Sequence, residues 1–301
     1  MIYNHQQLSK KCWFAGGCWS WEGFAPYNQF SLDSMLPAID ACRKNKLRHV
    51  FMTLWGDNGG ECSHFAQLPS LFYIAQYAKG VTDENVIKER FRRLMGVDYD
   101  DFMKLDLPNM IAGNEKIGQP KNPAKYMLYS DLFNGFLDYT VKEGGGEVCA
   151  CHAEQLRAVA KKSRKWGYLF DTLSKLCDVL SVKYELGVKL RRAYKAGDKA
   201  ELLRLAEEDI TLAIKYTEQF LKAFEKQWFY ENKPHGFDVQ DYRLGGLIRR
   251  MSACRKRVIA YAKGEVDRIE ELEAEILVYM GTEGNSICFN NFTRNITANP
   301  V

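Results

Sequence analysis

No stretch of this 301-residue chain is apolar over the roughly 20 residues that a membrane-spanning helix needs. The opening residues, MIYNHQQLSKK, lack the apolar centre of a secretory signal. Both absences point to a soluble, cytoplasmic protein. Charge of one sign is not in excess either: 42 basic and 38 acidic side chains, interspersed along the chain, leave a formal net charge of +4. That balance gives no argument for nucleic acid or an anionic membrane as partner. The nine cysteines are odd in number and follow no framework spacing, which suits reduced thiols better than a secreted disulfide scaffold. Low-complexity tracts and a collagen-like period are missing as well. What remains is ample core material, 46% hydrophobic and 13% aromatic, in a chain long enough for one large domain or two ordinary ones.

Cofactor signatures are equally scarce. Cys149-Ala-Cys151-His152 comes nearest to a metal motif, but a tetrahedral site needs a second pair of ligands at suitable spacing and none follows. These residues therefore read as structural. Gly144-Gly145-Gly146 lacks the Lys-Ser/Thr of a phosphate-binding loop and reads as a flexible link. No cofactor and no metal are expected.

The texture of the chain changes near residue 80. Before it, KCWFAGG (residues 11–17) and HVFMTLW (residues 49–55) are apolar runs without alternation, the pattern of strands buried on both faces. Each is followed by a turn and a helix, one over 34–45 and one over 68–79, with Gly80 as the stop. A βαβα order implies parallel strands. Two such strands do not make a self-sufficient sheet, so further strands are expected upstream of Met1.

Beyond residue 80 helical periodicity dominates. Trp166, Leu169, Leu173, Leu176 and Leu180 form one stripe; Leu203, Ala206, Ile210, Ala213, Thr217, Phe220 and Phe224 form a second; Leu244, Leu247, Met251, Cys254, Val258 and Tyr261 form a third that ends at Gly264. Gly197-Asp198 combines a helix stop with an N-cap, which predicts an antiparallel hairpin. Three seams make a bundle. The basic residues Arg249, Arg250, Arg255, Lys256 and Arg257 flank the third stripe and find partners in the acidic DRIEELEAE segment, as on a solvated face.

In parallel α/β architectures ligands gather at the C-terminal ends of strands. Trp19 and Trp21 follow the first strand; Trp55 ends the second and leads into Gly56-Asp57-Asn58-Gly59-Gly60-Glu61. Indole faces stack on the apolar face of a sugar ring, and a carboxylate accepts hydrogen bonds from its hydroxyls. The same residues also read as a Trp that closes a barrel end and an Asp57 or Glu61 that caps the next helix. Residue types alone leave both readings standing.

WFAGGCWSWEGFAPYN and VFMTLWGDNGGECSHFAQLPSLFYIAQYA resemble strands seven and eight of the catalytic barrel of glycoside hydrolase family 20, the exo-β-N-acetylhexosaminidases. NPAKYMLYSDLFNGFLD, YLFDTLSKLCDVLSVKYELGVKLRRAY, NKPHGFDVQDYRLGGL and NNFTRNITAN resemble the C-terminal helical domain of a bacterial subgroup. The resemblance implies an α/β plus all-α chain. Residues 1–80 would be the last two βα units of a (β/α)8 barrel, 81–110 a helical connector and 111–301 an α-helical accessory domain. It implies a glycan ending in N-acetylglucosamine or N-acetylgalactosamine as substrate, and a homodimer through the helical domain. Trp55 would wall the acetamido side of the sugar pocket and Asp57, where many members carry Glu, would bind ring hydroxyls. Trp19, Trp21 and Glu61 complete the expected substrate-binding set. The family cleaves by substrate assistance, with an Asp-Glu pair at strand four. The one Asp-Glu dipeptide here, Asp83-Glu84, follows the last barrel helix and reads as an N-cap. No catalytic residue is expected in this chain, which would be inactive alone. The alternative is a helical self-association module.

Overall fold

A computed structural model describes residues 2–8, 11–21, 23–111 and 122–277. The NNFTRNITAN segment lies outside them. The described residues are mostly helical and fall into two compact units, a first up to Asp106 and a second comprising 107–111 and 122–277.

In the first unit, α1 (Ile2–Leu8) precedes β1 (Phe14–Gly17), α2 (Asn28–Lys44), β2 (Val50–Thr53) and α3 (Leu68–Ala78). β1 and β2 pair in parallel, Phe14 opposite Val50 through Gly17 opposite Thr53, with α2 as the crossover. Both strands lie inside the expected apolar runs. α2 and α3 cover one face of the pair, where Cys18, Leu32, Met35, Ile39 and Ile74 form the core with Phe14 and Met52 packed against it. Gly16 faces this side: a Cβ there would stand 2.7 Å from Met35 Sδ and 2.6 Å from Met52 Cε. The strands were expected to be buried on both faces. Instead Phe51 is 47% exposed, because the described residues place helices against one face only.

α2 begins six residues before the expected start. Its first N–H groups are satisfied from far along the chain: the Asp106 carboxylate accepts the N–H of Asn28 at 3.0 Å, that of Gln29 at 2.9 Å and Asn28 Nδ2 at 2.9 Å. No local pattern signals such a cap. Gly80, at φ +91°, stops α3 as expected. α4 (Glu84–Met95) and α5 (Tyr99–Met103), expected as a connector, pack onto α3 through Phe72–Phe91 and Tyr73–Tyr99 ring contacts. Asp83 caps α4, accepting the N–H of Asn85 at 2.9 Å.

The second unit contains α6 (Pro123–Tyr129), α7 (Gly145–Lys162), α8 (Gly167–Lys183), α9 (Leu186–Lys195), α10 (Lys199–Arg204), a π turn (Leu205–Ile210), α11 (Thr211–Glu231), α12 (Phe237–Ala262) and α13 (Glu270–Glu273). α8 and α11 run antiparallel: Tyr168 meets the ring of Tyr230, and one turn deeper in α8 Thr172 Oγ1 donates to the carbonyl of Ala223. The first stripe is buried throughout. In the second, Leu202 and Leu205 are buried while Leu203 is not fully so. The π turn carries an extra residue, so everything upstream of it is rotated by one position. In the third stripe all but Tyr261 are buried. Gly197, at φ +65°, and Asp198, whose carboxylate accepts the Glu201 N–H at 3.0 Å, form the expected stop and cap.

The triglycine is a packing site, which corrects the reading as a flexible link. Gly144 sits at φ +80° and starts α7; a Cβ on Gly145 would stand 2.2 Å from Tyr184 Cε1 and one on Gly146 2.6 Å from the carbonyl oxygen of Ser181. Absence of side chains lets α7 lie against α8. Behind this contact a polar seam fixes the 130–138 segment. Asp131 takes two bonds from Arg250, at 2.6 and 3.1 Å, and two backbone N–H bonds from Phe133 and Asn134. Lys183, fully enclosed, donates to the carbonyls of Met127 and Ser130. Of the basic cluster, Arg257 pairs with Glu270 and Glu271 as expected, whereas Arg255 donates to the carbonyl of Ala206.

Candidate functional site

The C-terminal ends of β1 and β2 open into a pocket of about 310 Å³ within the first unit. Small residues make its floor: Ala15, Gly16 and Gly17 of β1 beside Thr53 of β2. Its wall is aromatic. Trp19 and Trp21, just after β1, both line the pocket, with ring centroids 5.4 Å apart; the rings of Trp21 and Trp55 stand 6.0 Å apart at 60°. Trp55 keeps 52% of its surface exposed. An indole this open, next to two others, presents an apolar face to a ligand.

Asp57 completes the lining. It is exposed and makes no hydrogen bond or ion pair among the described residues. The turn that presents it is shaped by glycine: Asn58, Gly59 and Gly60 sit at φ +57°, +112° and +59°, and the N–H of Gly60 closes on the carbonyl of Gly56 at 3.0 Å. Three consecutive left-handed residues are tolerable only where Gly and Asn supply them. Neither Asp57 nor Glu61 caps the following helical turn. Ser63 does, its hydroxyl accepting the N–H of Phe65 at 3.1 Å. Glu61 is 3% exposed and stands outside the pocket lining. The structure thus gathers Trp19, Trp21, Trp55 and Asp57 into one cavity and leaves Glu61 out of its lining.

The chemistry of this cavity is recognition. An uncommitted carboxylate beside indole faces accepts hydroxyl hydrogen bonds while the rings stack. Asp83 is occupied at the start of α4. The Cys149-Ala-Cys151-His152 stretch lies on α7 with Cys149 and His152 turned inward and Cys151 outward. Burial pushes the Cys149 thiol up to about 12 and holds the His152 imidazole below its usual range, so neither is poised as a charged group. Among the described residues no group of three or more His, Cys, Asp or Glu is arranged to hold a metal.

The family described as Glycoside Hydrolase 20C C-terminal domain matches residues 100–289. The chain belongs to this family. As a glycoside hydrolase 20C C-terminal domain protein it is a relative of the hexosaminidases, and the matched span takes in α6 to α13, the helical unit expected from sequence. The tryptophan pocket, between residues 15 and 57, lies before that span. No curated protein matches the chain.

Sequence reasoning missed Met35, the floor residues Ala15, Gly16, Gly17 and Thr53, and the place of Ser20, which is not itself part of the lining. Met35 of α2 lines it from the helix side, and nothing but the three-dimensional crossover brings it there. Ser20 lies between the two tryptophans, and its partner only becomes evident in the structure. Asp106 could not have been found by local pattern either.

Proposed function

We propose that the first unit forms the strand-seven and strand-eight part of a (β/α)8 barrel. On this reading the chain is the sugar-gripping and accessory-helical portion of a β-N-acetylhexosaminidase acting on terminal N-acetylglucosamine or N-acetylgalactosamine. The observation that carries this is the pocket at the strand ends, three indoles around an uncommitted Asp57. The parallel pair with helices on one face supports the barrel, since the open face bearing Phe51 is where a barrel interior would lie. Trp55 would wall the acetamido side, Asp57 would accept ring hydroxyls, and the acetamido oxygen of the substrate would act as nucleophile. The general acid comes from outside the residues seen here, so this chain alone supplies binding without turnover. Nine cysteines, odd in number and without framework spacing, suit a reducing compartment, and we place the protein in the cytoplasm.

Titrating the chain with N-acetylglucosamine while following tryptophan fluorescence tests the proposal. A saturable change that W55A abolishes and glucose does not reproduce is expected. An unresponsive wild type, or an equal response in W55A, would overturn it.

A second reading, self-association through the helical unit, is favoured by one observation. Phe229, Tyr230 and Tyr242 are exposed, and Phe229 packs on Phe237 and Tyr230 on Tyr168 at one end of the bundle. Sedimentation analysis of the wild type beside a Phe229→Ser/Tyr242→Ser variant decides it: a dimer lost in the variant supports the reading and a monomeric wild type ends it.

A further inference from the structure

The last ladder bond between the strands runs from the N–H of Cys18 to the carbonyl of Thr53 at 3.1 Å. Beyond it the two chains enter their separate loops, one carrying Trp19 and Trp21, the other Trp55 and Asp57. Trp19 and Trp21 both line the pocket, whereas the residue between them is not part of the lining. That residue is Ser20. It is 3% exposed, and its Oγ donates to the main-chain carbonyl of Trp55 at 3.2 Å.

The opposite side of the same loop is anchored just as directly. The N–H of Trp19 donates to Ser31 Oγ at 2.8 Å, that hydroxyl donates to the carbonyl of Tyr27 at 2.7 Å, and the N–H of Tyr27 donates to the carbonyl of Trp19 at 2.8 Å. Trp19 is thus clamped to the start of α2, and Ser20 carries that rigidity across to the Trp55 loop. Downstream of Trp55 the backbone turns at once through Gly56 to Asp57. Its glycine-rich turn closes on itself through the Gly60–Gly56 bond.

We propose that Ser20 is a positioning residue. Its hydroxyl extends the ladder one step past the strand ends and sets the distance between the Trp19–Trp21 pair and the Trp55–Asp57 arm. The three indole faces and the carboxylate then stand as one wall before a ligand arrives. Only the functional meaning of this tie rests on the sugar-site reading; the tie itself is a matter of geometry. Serine suits the place because it is the smallest side chain that carries a donor. Alanine removes the bond, and threonine keeps the hydroxyl while adding a methyl group.

Indoles 5.4 and 6.0 Å apart couple their electronic transitions, so the wall has a circular-dichroism signature that needs no ligand. The experiment compares the wild-type chain with W55F, S20A and S20T. W55F is expected to remove the component due to Trp21–Trp55. S20A should lose most of that same component while helical content and the unfolding of the second unit stay unchanged, and S20T should restore it. In the N-acetylglucosamine titration, S20A should raise the half-saturating concentration roughly three- to tenfold, the equivalent of one hydrogen bond. The proposal is overturned if the wild type has no component that W55F removes, if S20A keeps the wild-type couplet, or if S20T loses as much as S20A. A couplet that responds as described in a chain that binds no sugar would instead sink the sugar-site reading and leave Ser20 in its role.

Discussion

The carboxylate of Asp106 accepts the backbone N–H of Asn28 at 3.0 Å across 78 positions of sequence. Together with the bonds to Gln29 N–H and Asn28 Nδ2 this closes the first unit on itself, since the start of α2 is held by the residue that ends the unit. Burial pushes the Asp106 carboxyl up to about 7, against three N–H donors that favour its ionised form.

Asp106→Asn turns an acceptor into a donor facing those N–H groups. The loss should be about 1–3 kcal/mol of first-unit stability, the cost of leaving buried donors unsatisfied, read by chemical denaturation. The pH dependence carries a sign. The folded form holds its proton up to about 7, whereas the unfolded chain releases it near the ordinary aspartate value of 3.8. The contribution of this group is therefore fully present below that lower value and declines as pH rises to about 7. Thermal melts of wild type and variant should converge across that window; a gap that widens would contradict the assignment.

Gly146→Ala places a Cβ 2.6 Å from a main-chain oxygen, which cannot step aside as a side chain can. A cost of about 1–3 kcal/mol or more is expected from overpacking. Gly197→Ala is the control: its φ of +65° is left-handed but nothing lies within 4 Å, so only the backbone penalty of about 1 kcal/mol applies. Urea midpoints of the two variants rank them directly.

Lys183 is enclosed, and burial lowers its pKa to about 8. Because the folded state sheds this proton before the unfolded state does, its charge-burial penalty is present below about 8 and is relieved as pH climbs toward the ordinary lysine value of about 10.4. Lys183→Met leaves the carbonyls of Met127 and Ser130 without their donor, at about 1–3 kcal/mol. The gap between wild type and variant should grow from pH 8 to 10. A pH-independent gap would mean that the folded state keeps this proton as long as the unfolded chain does, so that burial does not lower its pKa.

Asp57→Asn should weaken N-acetylglucosamine binding about tenfold, the share of a charge-assisted hydrogen bond. It should leave the Trp21–Trp55 couplet intact. The chain alone should not hydrolyse a chromogenic N-acetylglucosaminide; turnover abolished by this substitution would show that the catalytic groups are present after all.

Phe51, with Trp13 exposed beside it, makes an apolar face on the sheet. Phe51→Lys should lower light scattering at high protein concentration without lowering the melting temperature.

Local chemistry was legible in the sequence: the stops at Gly80 and Gly197, the caps at Asp83 and Asp198, and the buried stripes of α8 and α12 each depend on residues within a turn or two. The four pocket residues were legible for the same reason, because each closes or follows a strand. Contacts between distant segments were not. Asp106 capping α2, Ser20 reaching Trp55 and the glycines of α7 receiving Tyr184 are set by packing, and no periodicity encodes them. Glu61 shows the limit from the other side, since its position beside the turn gave no hint that its side chain would be buried.

The π turn at Leu205–Ile210 has a bearing on chain length. Excising one residue there restores an ordinary helical turn and brings Leu202 into the phase that Leu203 would occupy in an unbroken helix, so the seam against the neighbouring helices survives. The same excision in α11 would swing every upstream apolar side chain out of register by about 100°. Shortening by a single codon is thus a mild event at one spot in this long helical segment and a severe one everywhere after it.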